Sequence, residues 1–232
     1  MKDGKWHVDR EWYLDPLDRD LHLIPAHLFP YMKTNIVNNT PAFLVQSNKW
    51  KVRRSYNREQ AVAYADKYAG AAFFAGNNHR YNPKYIDYTY IGGDCTNFTS
   101  QVLGDPDEGG GLPMVGAWNY RYKQGGTVVW VRTDAFKNFL LKSGYGKMIA
   151  KGTYDLVAKP TKKFPQKTIA ELKPGDLIAY EEHGKLDYFA VVTARDERGY
   201  PLVNSHTADR YHVPWDLGWD KNAKFLLIRI ID

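Results

Sequence analysis

The sequence of 232 residues contains one cysteine, Cys95, so it can form neither an intramolecular disulfide nor a cysteine-based zinc site. No apolar run approaches the ~20 residues that a membrane-spanning helix needs. The segment from Met1 to Arg10 is charged and lacks the apolar stretch of a signal peptide. Internal repeats and low-complexity tracts are also absent. The sequence therefore excludes disulfide-rich scaffolds, solenoids and transmembrane proteins.

The net charge is positive, and the basic residues are dispersed. Lys and Arg total 32 against 26 Asp and Glu, which gives a net charge of +6 and a pI near 9.1. Such a balance favours anionic partners, among them cell-wall polymers and nucleic acid. However, the basic clusters are short, and zinc-finger, RNA-recognition and basic-zipper patterns are missing. We therefore expect no nucleic-acid partner.

The first 50 residues differ in composition from the rest. Prolines interrupt any long helix there, at positions 16, 25, 30 and 41, and scattered aromatic residues supply apolar anchors. This pattern is typical of an extension that wraps over a domain surface without a core of its own. We predict an aromatic- and proline-rich N-terminal extension over residues 1–50 and one domain over residues 51–232.

Beyond residue 50, helix signals come before strand signals. Asn57 can cap a helix whose apolar residues recur at helical spacing. Gly92-Gly93-Asp94 predicts a turn into a second helix that ends at Gly104, and Thr133 to Ser143 a third. Apolar runs bounded by turn residues predict strands over 177–180, 188–194, 201–205 and 225–231. Helices followed by an antiparallel sheet indicate the α+β class.

Cys95 is the residue best placed to carry chemistry. It falls in the first turn of the second predicted helix, where unpaired N–H groups and the helix dipole stabilise an anion and lower the pKa of a thiol. A thiolate nucleophile also needs a base, normally histidine, and a polar group that orients the base. Without these partners, a cysteine at this position is a buried small apolar residue.

Residues around Cys95 and further along the chain form a recognisable series. The series comprises Tyr56-Asn57-Arg58, Gly92-Gly93-Asp94-Cys95-Thr96-Asn97-Phe98-Thr99-Ser100-Gln101, Leu112-Pro113-Met114, Trp118, Trp130, Leu172-Lys173-Pro174-Gly175-Asp176-Leu177-Ile178 and Ser205-His206-Thr207-Ala208-Asp209-Arg210. In this order, from about Tyr56 to Trp215, the chain resembles the bacterial "putative amidase domain" family, which is related to the NlpC-type papain-like cell-wall peptidases.

The resemblance implies a papain-like fold with Cys95 as the nucleophile on a helix packed against the sheet. It also implies an extracellular or cell-envelope location, with any signal peptide already removed, and no cofactor. In the family, the catalytic histidine follows an aspartate at the start of a strand. Here Asp187 matches that aspartate, Tyr188 stands where the family has histidine, and His206 falls on the third catalytic position.

The tyrosine leaves three interpretations open, because a phenol with a reference pKa of ~10 is a poor base at neutral pH. His206 serves as the base beside Tyr188, or His183 swings in from a nearby loop, or the domain binds without cleaving. The leading hypothesis is a cysteine-dependent amidase or peptidase that cuts peptidoglycan peptides through a thioester on Cys95. The alternative is a catalytically degenerate wall-binding or scaffolding module.

Other candidate site residues surround the nucleophile. Asp94 could orient the base or the thiolate, although N-capping of the helix explains it fully. The Cys95 backbone N–H would form the oxyanion hole with Asp94 or with a residue between Tyr88 and Gly93. The candidates for substrate binding, with core packing as their alternative, are Asn97, Trp118 and Tyr120.

Three residues of metal-ligand type form an H-x-x-D-x-x-H series, namely His206, Asp209 and His212. On a strand followed by a loop this spacing presents no common face, so we expect no metal site. Arg210 and Trp215 are interpreted as structural residues. The remaining histidines belong to no constellation and are interpreted as surface residues: His7, His22, His27 and His79.

Overall fold

The computed structural model describes residues 55–70, 81–220 and 222–232. The predicted extension, residues 1–50, lies outside the described residues, and so does His79. In the described part the helices are α1 (Arg58–Tyr68), α2 (Cys95–Gly104), α3 (Val128–Val131), α4 (Thr133–Ser143) and α5 (Tyr154–Ala158), with 3₁₀ helices at Thr89–Ile91 and Thr168–Glu171. The strands are β1 (Tyr120–Arg121), β2 (Gly125–Gly126), β3 (Gly146–Gly152), β4 (Leu177–Glu182), β5 (Lys185–Arg195), β6 (Pro201–Ser205), β7 (Arg210–Pro214) and β8 (Lys224–Ile230).

The larger sheet of the described region has six strands in the order β3-β8-β4-β5-β6-β7. All of its neighbouring pairs are antiparallel, and β8 inserts between β3 and β4. The short strands β1 and β2 form a separate hairpin. A helical region followed by an antiparallel sheet confirms the predicted α+β class.

The helix boundaries follow local signals in the sequence. Asn57 Oδ1 accepts a hydrogen bond from the Gln60 N–H at 3.0 Å, which confirms the predicted cap of α1. Helix α4 has its predicted bounds, and Gly144 follows it with φ 75°, the left-handed conformation that glycine adopts freely. No helix within the described ranges is long and apolar enough to cross a bilayer.

The predicted strands correspond to β4, β5, β6 and β8, and their ends differ from the prediction by three residues or fewer. Sequence analysis missed β3 and β7, which form the two edges of the larger sheet. Both edge strands are mostly half-exposed or exposed, so their sequences lack the buried apolar run that marks an interior strand.

The edges of this sheet are also irregular. The pairing of β3 with β8 shifts register between Met148 and Ala150. In β7, His212 has φ 50°, and its N–H donates to Asn204 Oδ1 at 2.8 Å. Strand β7 then ends at Pro214, which has no N–H.

Apolar side chains cover both faces of the sheet. Helices α1, α2 and α4 pack on one face around a core that includes Trp118, Trp130 and Phe136. The second core lies on the other face and includes Tyr180, Trp215 and Phe225. Strand β5 supplies both cores because alternate residues of a strand point to opposite faces, Phe189 to the first and Tyr188 to the second.

A polar contact set fixes the start of α1 to the sheet. Arg58 Nη1 donates to Asp176 Oδ1 at 2.8 Å, and Arg58 Nη2 donates to the Ile230 carbonyl at 2.6 Å. Tyr56 Oη donates to the Gly175 carbonyl at 2.8 Å. Asp176 is fully buried in the turn before β4, where its N–H donates to the Lys173 carbonyl at 2.9 Å. The contacts tie α1 to the sheet across 118 residues of sequence.

Candidate functional site

The second helix begins in the interior of the domain. Gly92 and Gly93 precede it with φ 115° and 101°, a conformation that residues with a Cβ rarely adopt. All ten residues of α2 are buried. The turn therefore delivers Cys95, the first residue of α2, directly into the packed region between the helices and β5.

The Cys95 thiol lies in an apolar environment with few polar contacts. Its side chain is 6% exposed, and Sγ is 3.8 Å from Thr96 Oγ1. Burial raises the pKa of the thiol from 9.0 to about 11, although hydrogen bonds with the Phe189 backbone and Thr96 act in the opposite direction. The negative charges of Asp94 and Asp187 raise this pKa further. At neutral pH the side chain is therefore a neutral thiol.

Tyr188 lies beside this thiol on β5, and its hydroxyl is held by the chain that follows β6. Tyr188 Oη is 2.8 Å from the His206 carbonyl, 2.9 Å from the Ala208 carbonyl and 2.7 Å from Ser205 Oγ. Burial, and then the nearby Cys95, raise the pKa of Tyr188 well above 10. A phenol held by backbone acceptors and resistant to ionisation cannot remove a proton from Cys95 at neutral pH.

The position of this hydroxyl follows from the strand pairing. Strand β5 pairs with β6 from Val191 to Arg195, and the register ends before Tyr188 is reached. The segment that leaves β6 at Ser205 therefore diverges from β5, and its carbonyls face the Tyr188 ring end. The single hydroxyl proton of this phenol can serve one of these unpaired carbonyls at a time, and Ser205 Oγ also donates to the Ala208 carbonyl at 3.0 Å.

His206 is completely buried, and both of its ring nitrogens have partners. Nδ1 lies 2.6 Å from Asp94 Oδ2, and Nε2 lies 2.6 Å from the Tyr68 carbonyl. The ring is stacked between Tyr81, at 3.6 Å, and Phe98, at 3.9 Å. Since a carbonyl only accepts, Nε2 carries a hydrogen, and a second proton is shared between Nδ1 and the Asp94 carboxylate.

None of the histidines in the described ranges hydrogen-bonds Cys95 Sγ. His206 is committed to Asp94 and Tyr68, and His212 Nε2 lies 3.0 Å from Asp66 Oδ1. His183 forms the tip of the β4–β5 hairpin with φ 48°. Tyr188 follows His183 by five residues, which span up to about 16 Å in an extended strand. The predicted roles of His206 and His183 as a base stay predictions, and each would require the ring to leave its present position.

The interpretation of Asp94 as a helix cap needs correction. Asp94 occupies the N-cap position of α2 but makes no capping hydrogen bond with its side chain. Instead, Oδ1 accepts from the Tyr88 N–H at 2.9 Å and from Asn97 Nδ2 at 2.8 Å, while Oδ2 pairs with His206. The carboxylate therefore orients the His206 ring, the other role that the sequence suggested for it.

The three predicted substrate-binding residues pack in the interior. Asn97 and Trp118 are both 0% exposed. Asn97 bonds to Ile86, Asp94 and Trp130, and Trp118 Nε1 donates to Ser100 Oγ at 3.0 Å. Tyr120 is half-buried, and its hydroxyl accepts from the Ile86 N–H at 2.8 Å. These contacts support the core-packing alternative, because they leave Asn97 and Trp118 no surface for a substrate.

Sequence reasoning missed several residues that shape the site. Tyr81 stacks on His206 and hydrogen-bonds Asp209. Thr207 Oγ1 accepts from the Asp94 N–H, and Thr207 itself has φ 76°, a strained conformation for a β-branched residue. The pattern Ser205-His206-Thr207 marked the neighbourhood, but no local signal identified the stacking ring, which lies more than 120 residues away.

The metal-type series H-x-x-D-x-x-H does not converge. His206 faces Asp94, Asp209 faces Tyr81, and His212 faces Asp66. In the part of the chain that the structure describes, no group of three His, Cys, Asp or Glu side chains could hold a metal ion.

A family model described as "Putative amidase domain" matches residues 55–228, which include Asp94, Cys95, Tyr188 and His206. The chain belongs to this amidase family. The description of the family suggests amidase activity.

Two relatives come from Bacillus subtilis (strain 168), and both are uncharacterized proteins. The chain is 29% identical to YjcM over 170 residues, which are 69% of this chain and 33% of the relative. It is 27% identical to YhbB over 192 residues, which are 76% of this chain and 51% of the relative. The chain thus spans a third to a half of these relatives. No solved structure gives a significant match.

Proposed function

We propose that this amidase-family domain has a papain-like, NlpC-type arrangement around Cys95 but binds its peptide ligand without hydrolysing it. The observation that carries the proposal is the environment of the thiol. A phenol held by backbone carbonyls occupies the position where the family resemblance places a histidine base, and burial keeps Cys95 neutral. A nucleophile that stays protonated and has no base beside it does not attack an amide at neutral pH.

The contacts of His206 support the same proposal. To act as the base, its ring would have to leave the Tyr68 carbonyl and slide out from between Tyr81 and Phe98. That movement would leave the buried Asp94 Oδ2 without its hydrogen-bond partner, which is costly in an apolar interior. His206 therefore acts as a structural link between α1, α2 and the segment after β6.

The ligand class and the location follow from the family resemblance. Peptides of the bacterial cell wall are the proposed ligands, and the cell envelope or the extracellular space is the proposed location. The net charge of +6 is favourable for retention on an anionic wall polymer.

The rate of Cys95 alkylation by iodoacetamide, measured against pH, tests the state of the thiol. The chain has no second cysteine, so the label reports on one site. We expect slow reaction near pH 7 and a rate that still rises beyond pH 9, because the thiol pKa is about 11. The urea-unfolded chain is the control and should titrate near the ordinary thiol pKa of ~8.5. Fast alkylation with a plateau below pH 7 would contradict the proposal.

A second candidate function is active cysteine-dependent amide hydrolysis, which is favoured by the retention of Cys95 at the first turn of α2 and by the family itself. In this case Cys95 would attack the amide carbonyl, release the amine and leave a thioester for water to cleave.

Peptidoglycan digestion distinguishes the two candidates. Purified peptidoglycan is incubated with the wild type, Cys95→Ala and Tyr188→His, and soluble peptides are quantified. The binding proposal predicts no Cys95-dependent release and equal pelleting of the wild type and Cys95→Ala with the wall. Release by the wild type that Cys95→Ala abolishes would establish the hydrolase. Release gained only in Tyr188→His would show that replacement of the base inactivated the domain.

A further inference from the structure

Arg210 stands apart from the other arginines of the domain. It begins β7, opposite Ser205 of β6, and is 3% exposed. Its Nη1 is buried without a hydrogen-bond partner, and among the described residues no carboxylate lies within ion-pair distance of its guanidinium. By contrast, Arg58 pairs with Asp176 and Asp232, and the half-buried Arg195 donates to three backbone carbonyls.

A second buried donor without a partner lies in the same cluster. Arg210 Cζ is 5.9 Å from the centre of the Trp219 ring, and Trp219 Nε1 also lacks an acceptor among the described residues. The Trp219 ring packs on Tyr180 at 4.2 Å and on Tyr188 at 5.6 Å. Both groups can only donate, so the group that completes this cluster is an acceptor.

The positive charge of the Arg210 guanidinium indicates which kind of acceptor would complete the cluster. The π face of Trp219 compensates a buried guanidinium only in part, and a water molecule would accept hydrogen bonds without neutralising the charge. The nearby acids are already engaged, Asp209 with Tyr81 and Asp216 with Tyr200. A carboxylate fits best, because it accepts two parallel hydrogen bonds from a guanidinium and supplies the missing negative charge.

We propose that Arg210 and Trp219 form a carboxylate-binding site behind Tyr188. Trp219 is half-buried, so its edge provides the way in from the surface. Burial raises the pKa of both Tyr180 and Tyr188, and the positive charge of Arg210 partly opposes that rise. The guanidinium therefore lies near both phenols, on the Tyr188 side of the Cys95 region. The site does not depend on whether Cys95 reacts.

The carboxylate has two sources, a free ligand or an acidic residue of this chain. All acidic residues before position 50 lie within the first twenty residues: Asp3, Asp9, Glu11, Asp15, Asp18 and Asp20. Both sources present the same chemistry to Arg210, so the experiment must separate them.

Thermal unfolding of the full chain is measured with increasing N-acetyl-Ala-Ala, and with its C-terminal carboxamide at matched ionic strength. A ligand that binds the native state raises Tm in a saturable way. We expect the free acid and not the amide to raise Tm. We expect Arg210→Met to weaken binding at least about tenfold, and Trp219→Phe, which removes the indole N–H together with part of the ring, several-fold. Arg132→Met, at an exposed arginine beside Asp134, is the matched control and should bind as the wild type does.

The source is identified by a chain in which the six early acidic residues are replaced by Asn or Gln. A saturable rise in the Tm of the wild type with N-acetyl-Ala-Ala assigns the site to a free ligand. A rise in Tm that appears only in the chain with the six replacements assigns the site to one of the chain's own carboxylates. If the Tm of neither chain rises, or if the Tm of Arg210→Met rises as that of the wild type does, the proposal of a carboxylate site is wrong. Arg210 then has only a packing role.

Discussion

The starts of α1 and α2 each hold a buried carboxylate that is paired with a nitrogen-bearing side chain, and each pair joins a helix to the sheet. At α1, Arg58 Nη1 lies 2.8 Å from Asp176 Oδ1, and at α2, Asp94 Oδ2 lies 2.6 Å from His206 Nδ1. Both carboxylates are nearly or fully buried, and both pairs join residues more than 110 positions apart. In this respect the two helix starts are built alike.

They differ in where the backbone is strained and in what lies next to the pair. At α1 the left-handed conformation falls on Gly175, which adopts it freely, whereas at α2 it also falls on Thr207, a β-branched residue. The α2 pair adjoins a buried thiol, while the α1 pair adjoins backbone carbonyls. Backbone strain of this kind clusters at functional sites, so it marks the α2 start as the candidate site, and the relaxed pair at α1 serves stability.

The largest expected effect comes from breaking the α1 pair with Asp176→Asn. The substitution leaves the half-buried Arg58 guanidinium with only the exposed carboxylate of Asp232 as an anionic partner, so the free energy of unfolding should fall by about 3 kcal/mol. Urea unfolding followed by circular dichroism measures the loss. Alkylation of Cys95 at pH 9 is the control and should not change. A loss below about 1 kcal/mol would show that solvent screens this pair as it does a surface ion pair.

A smaller effect arises from the thiol at α2 and depends on pH. Because the folded-state pKa of Cys95 is raised from 9.0 to about 11, the unfolded chain loses the thiol proton at lower pH than the folded chain. Its contribution to stability is full below pH 9 and is lost as the pH rises towards 11, by up to about 2–3 kcal/mol. Urea titrations of the wild type and Cys95→Ala, compared from pH 7 to 11, measure this difference. Parallel curves would indicate that the thiol ionises as easily in the folded state as in the unfolded chain.

The α2 pair itself should tolerate Asp94→Asn with a loss of about 1–2 kcal/mol. The new amide still accepts from the Tyr88 N–H, and its NH₂ can donate to Nδ1 of a neutral His206 ring. The ¹⁵N shifts of His206 should therefore move to those of a neutral ring protonated on Nε2. If the ¹⁵N shifts of His206 are the same in the wild type and in Asp94→Asn, Nδ1 carries no proton in the wild type.

The smallest effects come from removing one hydroxyl at each helix start. Tyr56→Phe and Tyr188→Phe should each lose about 1 kcal/mol of stability, because each removes one hydroxyl donor from a backbone carbonyl, Gly175 for Tyr56 and His206 for Tyr188. Neither should speed Cys95 alkylation at pH 7. An increase in Tyr188→Phe alone would reveal that the phenol restrains the thiol as well as the backbone.

The elements that the sequence predicted are those set by local patterns. The Asn57 cap, the bounds of α4 and the interior strands β4 to β6 depend on neighbouring residues, and each was found close to its predicted position. The edge strands β3 and β7 were missed because one-sided pairing requires no buried apolar run.

The site depends on contacts that no local pattern records. Cys95 and Tyr188 were identified by family resemblance, but the partner of Asp94 lies 112 residues away and the stacking ring of Tyr81 lies in another segment. Trp118 illustrates an ambiguity of a different kind, since a tryptophan near the motif could face either a ligand or the core. Only the packing against Trp130, with ring centres 5.1 Å apart, separates these alternatives.

The irregular edges of the large sheet bear on how this protein avoids aggregation. An open edge of regular strand invites another chain to add a strand and so to propagate a fibril. Here β3 is interrupted at its register shift, while β7 is bent at His212 and closed by Pro214. Neither edge offers a continuous row of amide groups to a second molecule. Intermolecular strand addition is therefore disfavoured at both ends of the sheet, even at high local concentration.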